Sequence, residues 1–277
     1  MMDTSVIGPF IFILGSIVGS FLNVCIVRLP HEKSVVYPGS HCVQCKKPIS
    51  WFDNIPLISY LLLRGRCRYC QQKISFRYFF VECLTAMIFL GFYLYFGLTM
   101  LLLPYLFMVS GFIVATLVDF EHRIIPDEVS VGGIGLGLVL SLFLPEMHGI
   151  HSEAIQVKYP VLAAHFLSLG YSLLGVLAGG GLIYAMGVLG DFLFKKESMG
   201  GGDVKLLAMV GAFLGWKLAV LSFFIAPVLG AVYGVIEKIR TKDSTIAYGP
   251  FLVFGALISL FWGERILAWV MSGYGLY

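Results

Sequence analysis

Long runs of apolar residues, separated by short polar turns, dominate this chain. A helix that crosses a membrane needs about 20 apolar residues, and runs of roughly this length recur from one end of the sequence to the other. The pattern predicts eight crossings, at residues 6–27, 79–97, 99–118, 128–145, 166–190, 204–217, 218–236 and 249–271. The predicted fold is therefore all-α, a polytopic membrane helical bundle.

Composition supports the membrane assignment. Hydrophobic residues make up 58% of the 277 positions and charged residues 13%, whereas a soluble globular chain carries about 25% charged residues. The mean hydropathy is +0.89. The first apolar run has no Lys or Arg before it, unlike a cleaved signal peptide, so it is predicted to be a retained crossing.

The basic residues predict the orientation of the chain. Segment 28–78 holds nine Lys or Arg and two acids, and later loops on the same side bring that face to sixteen of the 19 basic residues. Because loops rich in Lys and Arg stay in the cytoplasm, this face is predicted to be cytoplasmic. Loop 146–165 falls on the opposite face, and its three histidines are interpreted as part of a polar loop rather than a metal site.

Two CxxC pairs lie within segment 28–78. They are Cys42-Val43-Gln44-Cys45 and Cys67-Arg68-Tyr69-Cys70, with 21 residues between them. Four thiolates in two such pairs are typical of tetrahedral zinc. Disulfides are disfavoured on a cytoplasmic face, and a redox motif needs only one pair. The favoured interpretation is a structural zinc site in a small cytoplasmic domain, with Cys25 and Cys83 as buried fillers elsewhere.

Asp119 and Asp203 each lie where an apolar run meets polar residues on the predicted cytoplasmic face. Ionised groups are costly in a membrane, so acids at its boundary are candidates for function. Asp203 follows three glycines, which allow a substrate chain to approach closely. Two close carboxylates would share one proton, the working state of an acid–base hydrolase. Interfacial helix capping is the alternative for each Asp. Position alone leaves three competing acids: Glu121, Asp127 and Asp191.

Five segments carry more specific patterns. They are Gly19-Ser20-Phe21-Leu22-Asn23-Val24 ending at Arg28-Leu29-Pro30, Trp51-Phe52-Asp53-Asn54-Ile55-Pro56, Leu63-Arg64-Gly65-Arg66-Cys67, the stretch from Asp119 to Asp127, and Met199-Gly200-Gly201-Gly202-Asp203-Val204-Lys205-Leu206. Together they resemble the prepilin peptidases, or type IV leader peptidases, which are membrane aspartic proteases of the GxGD class. The resemblance covers most of the chain.

This resemblance implies that Asp119 and Asp203 are the catalytic pair and that Asp127 is not a member of it. It implies two activities on the cytoplasmic side of the bacterial inner membrane. The first is cleavage of the basic leader of type IV prepilins and pseudopilin precursors, and the second is methylation of the new amino terminus with S-adenosylmethionine. The resemblance associates Gly65 and the cysteine loop with methyl transfer. The lipid bilayer and these precursors are the expected partners, and no nucleic acid is expected.

The expected organisation is a first transmembrane helix over 1–27, a four-cysteine zinc domain over 28–78 associated with methyl transfer, and an aspartic peptidase core over 79–277. Nothing in the sequence is a glycine-rich nucleotide loop, so methyl transfer rests on the resemblance. A carboxylate such as Glu82 or Asp53 could help to deprotonate the amine. One departure from the family pattern is Ala247-Tyr248-Gly249-Pro250, where Pro-Phe-Gly-Pro is typical.

Two other functions remain open from the residues. A peptidase without methyltransferase activity would keep the pair of acids and lose the second reaction. A proton-coupled transporter would also carry membrane carboxylates, but it would usually show them near the middle of a crossing, with a repeated hydropathy pattern. Here the acids lie at one face and no repeat is visible.

Overall fold

The computed structural model describes residues 4–150, 161–195, 199–241 and 247–273. Its α-helices are α1 (Thr4–Arg28), α2 (Ile58–Leu62), α3 (Phe76–Phe96), α4 (Leu102–His122), α5 (Asp127–Phe143), α6 (Val161–Phe194), α7 (Gly201–Thr241) and α8 (Gly249–Gly273). Single 3₁₀ turns occur at Leu29–His31, Trp51–Asn54 and Pro145–His148. The all-α prediction is confirmed. The chain divides into a first unit, Met1–Val114, and a second unit, Ala115–Tyr277.

In the first unit, α1 and α3 pack with their backbones in close contact. A methyl group added at Gly15 would lie 2.7 Å from Cα of Ala86, and one added at Gly19 would lie 2.8 Å from Cα of Glu82. Gly15 and Gly19 are four residues apart, so they lie on the same face of α1. This small-residue spacing is typical of transmembrane helices that approach closely. It places the carboxyl group of Glu82 directly against α1.

In the second unit, glycines bring the first half of α7 against α6 and α5. Gly175 of α6 meets Gly211 of α7 backbone to backbone, with no room for a side chain on either. A methyl group added at Gly137 of α5 would lie 2.8 Å from Cβ of Ala212. The hydroxyl of Ser172 also donates to the carbonyl of Ala212 at 2.7 Å. These contacts fix the half of α7 that carries Asp203.

The long helix α7 reverses direction at Gly215. This residue has non-helical angles of φ 76° and ψ 172°. Gly230 lies beside Tyr248, 3.8 Å from an added methyl group to the ring, and Tyr248 is close enough to Asp203 to feel its charge. In an unbroken helix, residues 203 and 230 would be about 40 Å apart. Residues 201–214 and 216–241 are therefore two antiparallel segments, in agreement with the two crossings predicted at 204–217 and 218–236.

His148 packs against this reversal. Its Nδ1 lies 2.9 Å from the hydroxyl oxygen of Ser168, its ring stacks on Tyr171 with centroids 6.3 Å apart, and its Cδ2 would lie 3.1 Å from a methyl group added at Gly215. Burial lowers the pKa of His148 to about 4. The imidazole is thus neutral near pH 7 and serves as packing at the turn. His151, from the same predicted loop, lies outside the described residues.

Six described helices are long and apolar enough to cross a membrane. The predicted crossing at 128–145 corresponds to α5, which has 17 residues and is slightly short for a full crossing. The predicted pair at 204–217 and 218–236 is counted once among the six, because α7 is continuous apart from Gly215. The prediction of about eight crossings is therefore approximate, while the multi-pass membrane architecture is confirmed.

Candidate active site

Asp119 lies in the last turn of α4, and its side chain is buried. The helix ends just beyond it because Arg123 adopts a left-handed φ of 56° and donates its backbone N–H to the Asp119 carbonyl at 2.9 Å. The chain changes direction before Pro126, because the residue that precedes a proline disfavours helical backbone angles. One carboxylate oxygen of Asp119, Oδ2, accepts the backbone N–H of Gly249 at 2.9 Å.

Asp203 lies in the first turn of α7, directly after the three glycines. Its backbone N–H donates to the carbonyl of Gly200 at 3.1 Å, and the Gly200 backbone also hydrogen-bonds to its carboxylate. A methyl group added at Gly202 would lie 3.1 Å from Cβ of Ile125. The glycine run therefore brings the start of α7 against the segment that follows α4. Asp203 is half-buried.

Asp119 and Asp203 are 84 positions apart in sequence and belong to different helices. Their carboxylates are nevertheless close enough for their charges to interact. Tyr248 lies at the same place, because burial and then the charge of Asp203 raise the pKa of its phenol to about 12. That phenol is neutral at every physiological pH. The structure thus brings together Asp119, Asp203 and the segment that begins α8.

Burial separates this pair from the other candidate acids. Asp127 is 63% exposed and forms an ion pair with Lys205, with 2.7 Å between Nζ and Oδ1. Glu121 and Asp191 are exposed as well. Of the acids that compete for the catalytic role, Asp119 is buried and Asp203 is half-buried. Burial and ion pairing therefore distinguish Asp119 and Asp203 from the three exposed acids.

Sequence reasoning noted Tyr248 and Gly249 only as part of a departure from the family pattern. Gly249 is a close neighbour of the carboxylate, because a methyl group added to it would lie 2.8 Å from Oδ2 of Asp119. The available signal was a Gly-Pro pair at the start of an apolar run, which is typical of a helix amino terminus with Pro at the first turn. Nothing in the sequence indicated which distant side chain this backbone N–H would meet.

The four predicted zinc cysteines converge in the first unit. Their sulfur atoms all lie within 4.8 Å of one another, and the sulfurs of Cys42 and Cys70 are 3.8 Å apart. Four thiolates at zinc–sulfur distances of about 2.3 Å in a tetrahedron would be about 3.8 Å apart. The donor set and its spacing therefore fit a tetrahedral metal ion.

Each CxxC pair forms the same tight turn. The residue after each pair, Lys46 or Gln71, has a left-handed φ of 59° or 58°. The first cysteine of each pair donates its backbone N–H back across the turn at 2.9 Å, to the carbonyl of Lys47 or of Gln72. In the turn of the first pair, a hydrogen bond from the backbone N–H of Cys45 is the main reason that the pKa of Cys42 is lowered to about 6. A thiolate at this position is thus available to a cation near neutral pH.

The remaining residues named from the sequence have structural partners. A methyl group added at Gly65 would lie 2.9 Å from the hydroxyl oxygen of Tyr60, and Gly65 has a φ of 65° that favours glycine. Asp53 accepts two hydrogen bonds from Arg68, at 2.6 and 2.7 Å, and these keep the pKa of its carboxyl below the ordinary value. Asp53 is therefore a poor base for an amine.

Two family models match the chain. The Bacterial Peptidase A24 N-terminal domain matches residues 13–96, and the Type IV leader peptidase family matches residues 106–235. The second match contains Asp119, Asp203 and the reversal of α7 at Gly215. No solved structure matches the chain.

Curated relatives extend this result over nearly the whole sequence. A "Prepilin leader peptidase/N-methyltransferase" of Myxococcus xanthus (strain DK1622) is 37% identical over 84% of this chain, which spans 63% of that relative. Proteins of the same name from Pseudomonas putida and Legionella pneumophila are 31% and 33% identical, over 92% of this chain and 91% of theirs. With the two family models, these relatives show that the chain belongs to the type IV leader peptidase family.

Proposed function

We propose that this chain is a bifunctional membrane enzyme. It cleaves the leader from type IV pilin-like precursors and then methylates the new amino-terminal residue. Both activities are named in its relatives. The observation that carries the peptidase activity is the pairing of Asp119 with Asp203 at the ends of two apolar helices, where their charges interact.

Asp119 and Asp203 are the proposed catalytic pair. One carboxylate, ionised, takes a proton from a water molecule that attacks the scissile carbonyl. The other, protonated, polarises that carbonyl and later helps to protonate the leaving amine. Because two close carboxylates do not both ionise cheaply, their titration belongs to the pair, and a bell-shaped dependence of rate on pH follows. The hydrogen bond from Gly249 holds Asp119 in place before substrate arrives.

The second proposed reaction transfers a methyl group from S-adenosylmethionine to the α-amine that cleavage exposes. The amine gives up a proton, its lone pair attacks the methyl carbon, and the carbon–sulfur bond breaks with its electron pair passing to sulfur. An α-amino group has a pKa of about 7.7–8.0, so part of it is unprotonated near neutral pH. We assign this activity to the four-cysteine domain over residues 28–78 and leader cleavage to the core over residues 79–277.

Zinc is the metal that we propose for the four cysteines. Cys42, Cys45, Cys67 and Cys70 would fill its four positions, so no position remains for substrate and the role is structural. A segment of about 50 residues has only a marginal core of its own, and a bound metal is one way to stabilise it. Bound zinc would fix the two turns relative to each other and thereby the loop that lies between α1 and α3.

The proposed location is the bacterial inner membrane, with Asp119 and Asp203 at the cytoplasmic face. This location is supported by the concentration of Lys and Arg in the loops predicted to lie on the cytoplasmic face. The leader of a pilin precursor is itself basic, so the basic loop 28–78 is a poor docking site for it. We propose that its charges meet anionic headgroups and that the substrate binds through its apolar segment, within the membrane.

One experiment separates this function from its rivals. Purified protein is incubated with a pilin precursor, with and without S-adenosylmethionine, and the products are weighed. The proposal expects loss of the leader in both samples and a further gain of one methyl group only with the donor. Cleavage without methylation would identify a peptidase alone, and an unchanged precursor would favour a transporter.

A further inference from the structure

A cavity of about 660 Å³ lies in the first unit, between α1 and the segments around residues 35–40 and 54–58. Its α1 wall runs from Phe12 to Arg28, which is about 24 Å along the helix. Most of the lining side chains are apolar. Polar groups come from Ser16, Ser20 and Arg28 on α1 and from the loop side, at Ser40 and Asn54. A volume of this size and a lining of this kind are typical of ligand sites.

Two of the sequence patterns meet at this cavity. The pattern that begins at Gly19 contributes Ser20, Phe21, Val24 and Arg28, and the pattern that begins at Trp51 contributes Asn54, Ile55 and Pro56. Neither pattern contains a member of the proposed catalytic pair. The cavity is therefore a candidate for a task other than leader cleavage.

The loop wall of the cavity is held in a strained conformation. Leu57 has φ 60° and ψ −52°, and the N–H of Ile58 donates to the carbonyl of Pro56 at 2.6 Å. This is a γ-turn of the rare form that L-residues disfavour. Strain of this kind persists only where the surroundings enforce it, and it occurs preferentially at ligand sites.

The enforcing group is the carboxylate of Glu82 on α3. Its Oε2 accepts the backbone N–H of Leu57 at 2.8 Å, and the carboxylate also hydrogen-bonds to the hydroxyl of Ser20. Glu82 is only 8% exposed. Both of its partners line the cavity, so one buried acid fixes the α1 wall and the loop wall together. The close approach at Gly19 is what allows α3 to bring this acid so near to α1.

We infer that this cavity is the methyl-acceptor site, in which the apolar amino-terminal segment of the cleaved product lies along α1. The inference rests on the proposed methyltransferase function. An extended apolar chain fits a lining that follows α1 for several turns, whereas a methyl donor is compact and polar. Glu82 acts here as a positioning residue, because it holds Leu57 and Ser20 and does not itself line the cavity.

The test uses the full-length protein in detergent, S-adenosylmethionine, and a synthetic peptide with a free α-amine followed by an apolar segment. This acceptor needs no cleavage, so its methylation is measured independently of the peptidase. Ile17→Trp fills the cavity from α1, since Ile17 lines it. Phe10→Trp is the matched control, because Phe10 lies on the same helix, is 65% exposed and lies outside the lining.

Ile17→Trp is expected to raise the KM for the acceptor about tenfold or more, because the added ring occupies the space of the segment. The KM for S-adenosylmethionine and the rate of leader cleavage should stay at wild-type values, as should every parameter of Phe10→Trp. An increased KM for S-adenosylmethionine would place the donor in the cavity and overturn the inference. An unchanged KM for the acceptor would also overturn it, and is the result expected if a lipid chain fills the cavity. If wild-type protein methylates no acceptor at all, the methyltransferase function itself fails.

A second pair of variants tests the role of Glu82. Glu82→Ala removes the acceptor for the Leu57 N–H, and acceptor methylation should fall about tenfold or more while leader cleavage continues. Glu82→Gln keeps an oxygen for that hydrogen bond and should restore most of the loss. Full methylation by Glu82→Ala would overturn the positioning role, and so would equal losses in both variants.

Discussion

The backbone N–H of Gly249 donates a 2.9 Å hydrogen bond to Oδ2 of Asp119, across 130 positions of sequence. The contact is made where α8 begins, so the amino terminus of one helix fixes the carboxylate at the end of another. Main-chain donors lose little freedom when they bind, because the helix already holds them in place. Asp119 is therefore oriented by the fold and not by a flexible side chain.

Replacement of Gly249 by alanine tests this relationship. The new methyl group would lie 2.8 Å from Oδ2 of Asp119, so the carboxylate must move. A displacement of this size should lower leader cleavage by about 10- to 100-fold, measured as kcat/KM on a pilin precursor. Methylation of a pre-cleaved peptide should be unchanged.

Gly181→Ala is the control for a helical glycine, because a methyl group at Gly181 meets nothing within 4 Å. It should cleave at the wild-type rate. Normal cleavage by Gly249→Ala would show that the hydrogen bond does not orient a working carboxylate.

The sequence predicted most of the helices because their apolar runs are long and their breaks are polar or glycine-rich. The junction placed between residues 217 and 218 lies close to the reversal at Gly215, although the helix is continuous on either side of it. The crossing predicted at 128–145 ends earlier in the structure, at Phe143, because Pro145 starts a separate 3₁₀ turn. Local pattern was sufficient for these features.

Contacts between distant residues could not be predicted in the same way. Two such contacts distinguish Asp119 from Asp127. Asp127 forms an ion pair with Lys205, 78 residues away, and Asp119 is buried only because the helices pack around it. The strained turn at Leu57 depends on Glu82, which reaches it because Gly19 lets α3 approach α1. Each is a consequence of tertiary packing that no local spacing encodes.

The ion pair between Asp127 and Lys205 should contribute little to stability. Its side chains are 63% and 42% exposed, and exposed pairs contribute about 0.2–1 kcal/mol. A double-mutant cycle with Asp127→Asn and Lys205→Ala, measured by unfolding in detergent, should give a coupling in this range. A much larger coupling would mean that the pair is shielded from solvent and has a further role.

Loss of a zinc ligand should affect one activity and spare the other. Cys67→Ser removes one of four thiolates, so bound zinc should fall from about one ion per chain to near zero, measured by elemental analysis. Methylation of a pre-cleaved acceptor should then be lost, while leader cleavage continues.

Cys25→Ser is the matched control for this experiment. Cys25 is a buried cysteine on α1, outside the group of four whose sulfur atoms converge. It should retain its zinc and methylate the acceptor normally. Wild-type protein that contains no metal, or Cys67→Ser protein that methylates at the full rate, would refute the zinc assignment.

The buried imidazole at the α7 reversal predicts an acid-side loss of stability. The pKa of His148 is lowered by burial to about 4, while the unfolded chain binds a proton at about pH 6.5. The unfolded state therefore gains a proton first, and stability falls as the pH decreases from about 6.5 towards 4. At pH 5 the loss should be about 2 kcal/mol.

His148→Gln removes this titration. Its unfolding midpoint in detergent should change less between pH 7 and pH 5 than that of the wild type, even if it is lower at pH 7 because packing is lost. An identical pH dependence in both proteins would mean that His148 is protonated as easily in the folded state as in the unfolded one.

The most direct measurement is the cleavage rate of Asp119→Asn and Asp203→Asn on one pilin precursor, with Asp127→Asn beside them. Each of the first two should fall by about 10³-fold or more, because an amide can neither take nor give the shared proton. Both should still methylate a pre-cleaved acceptor, and Asp127→Asn should cleave at close to the wild-type rate. Wild-type cleavage by a folded Asp119→Asn or Asp203→Asn protein would contradict the assignment of these two carboxylates as the catalytic pair.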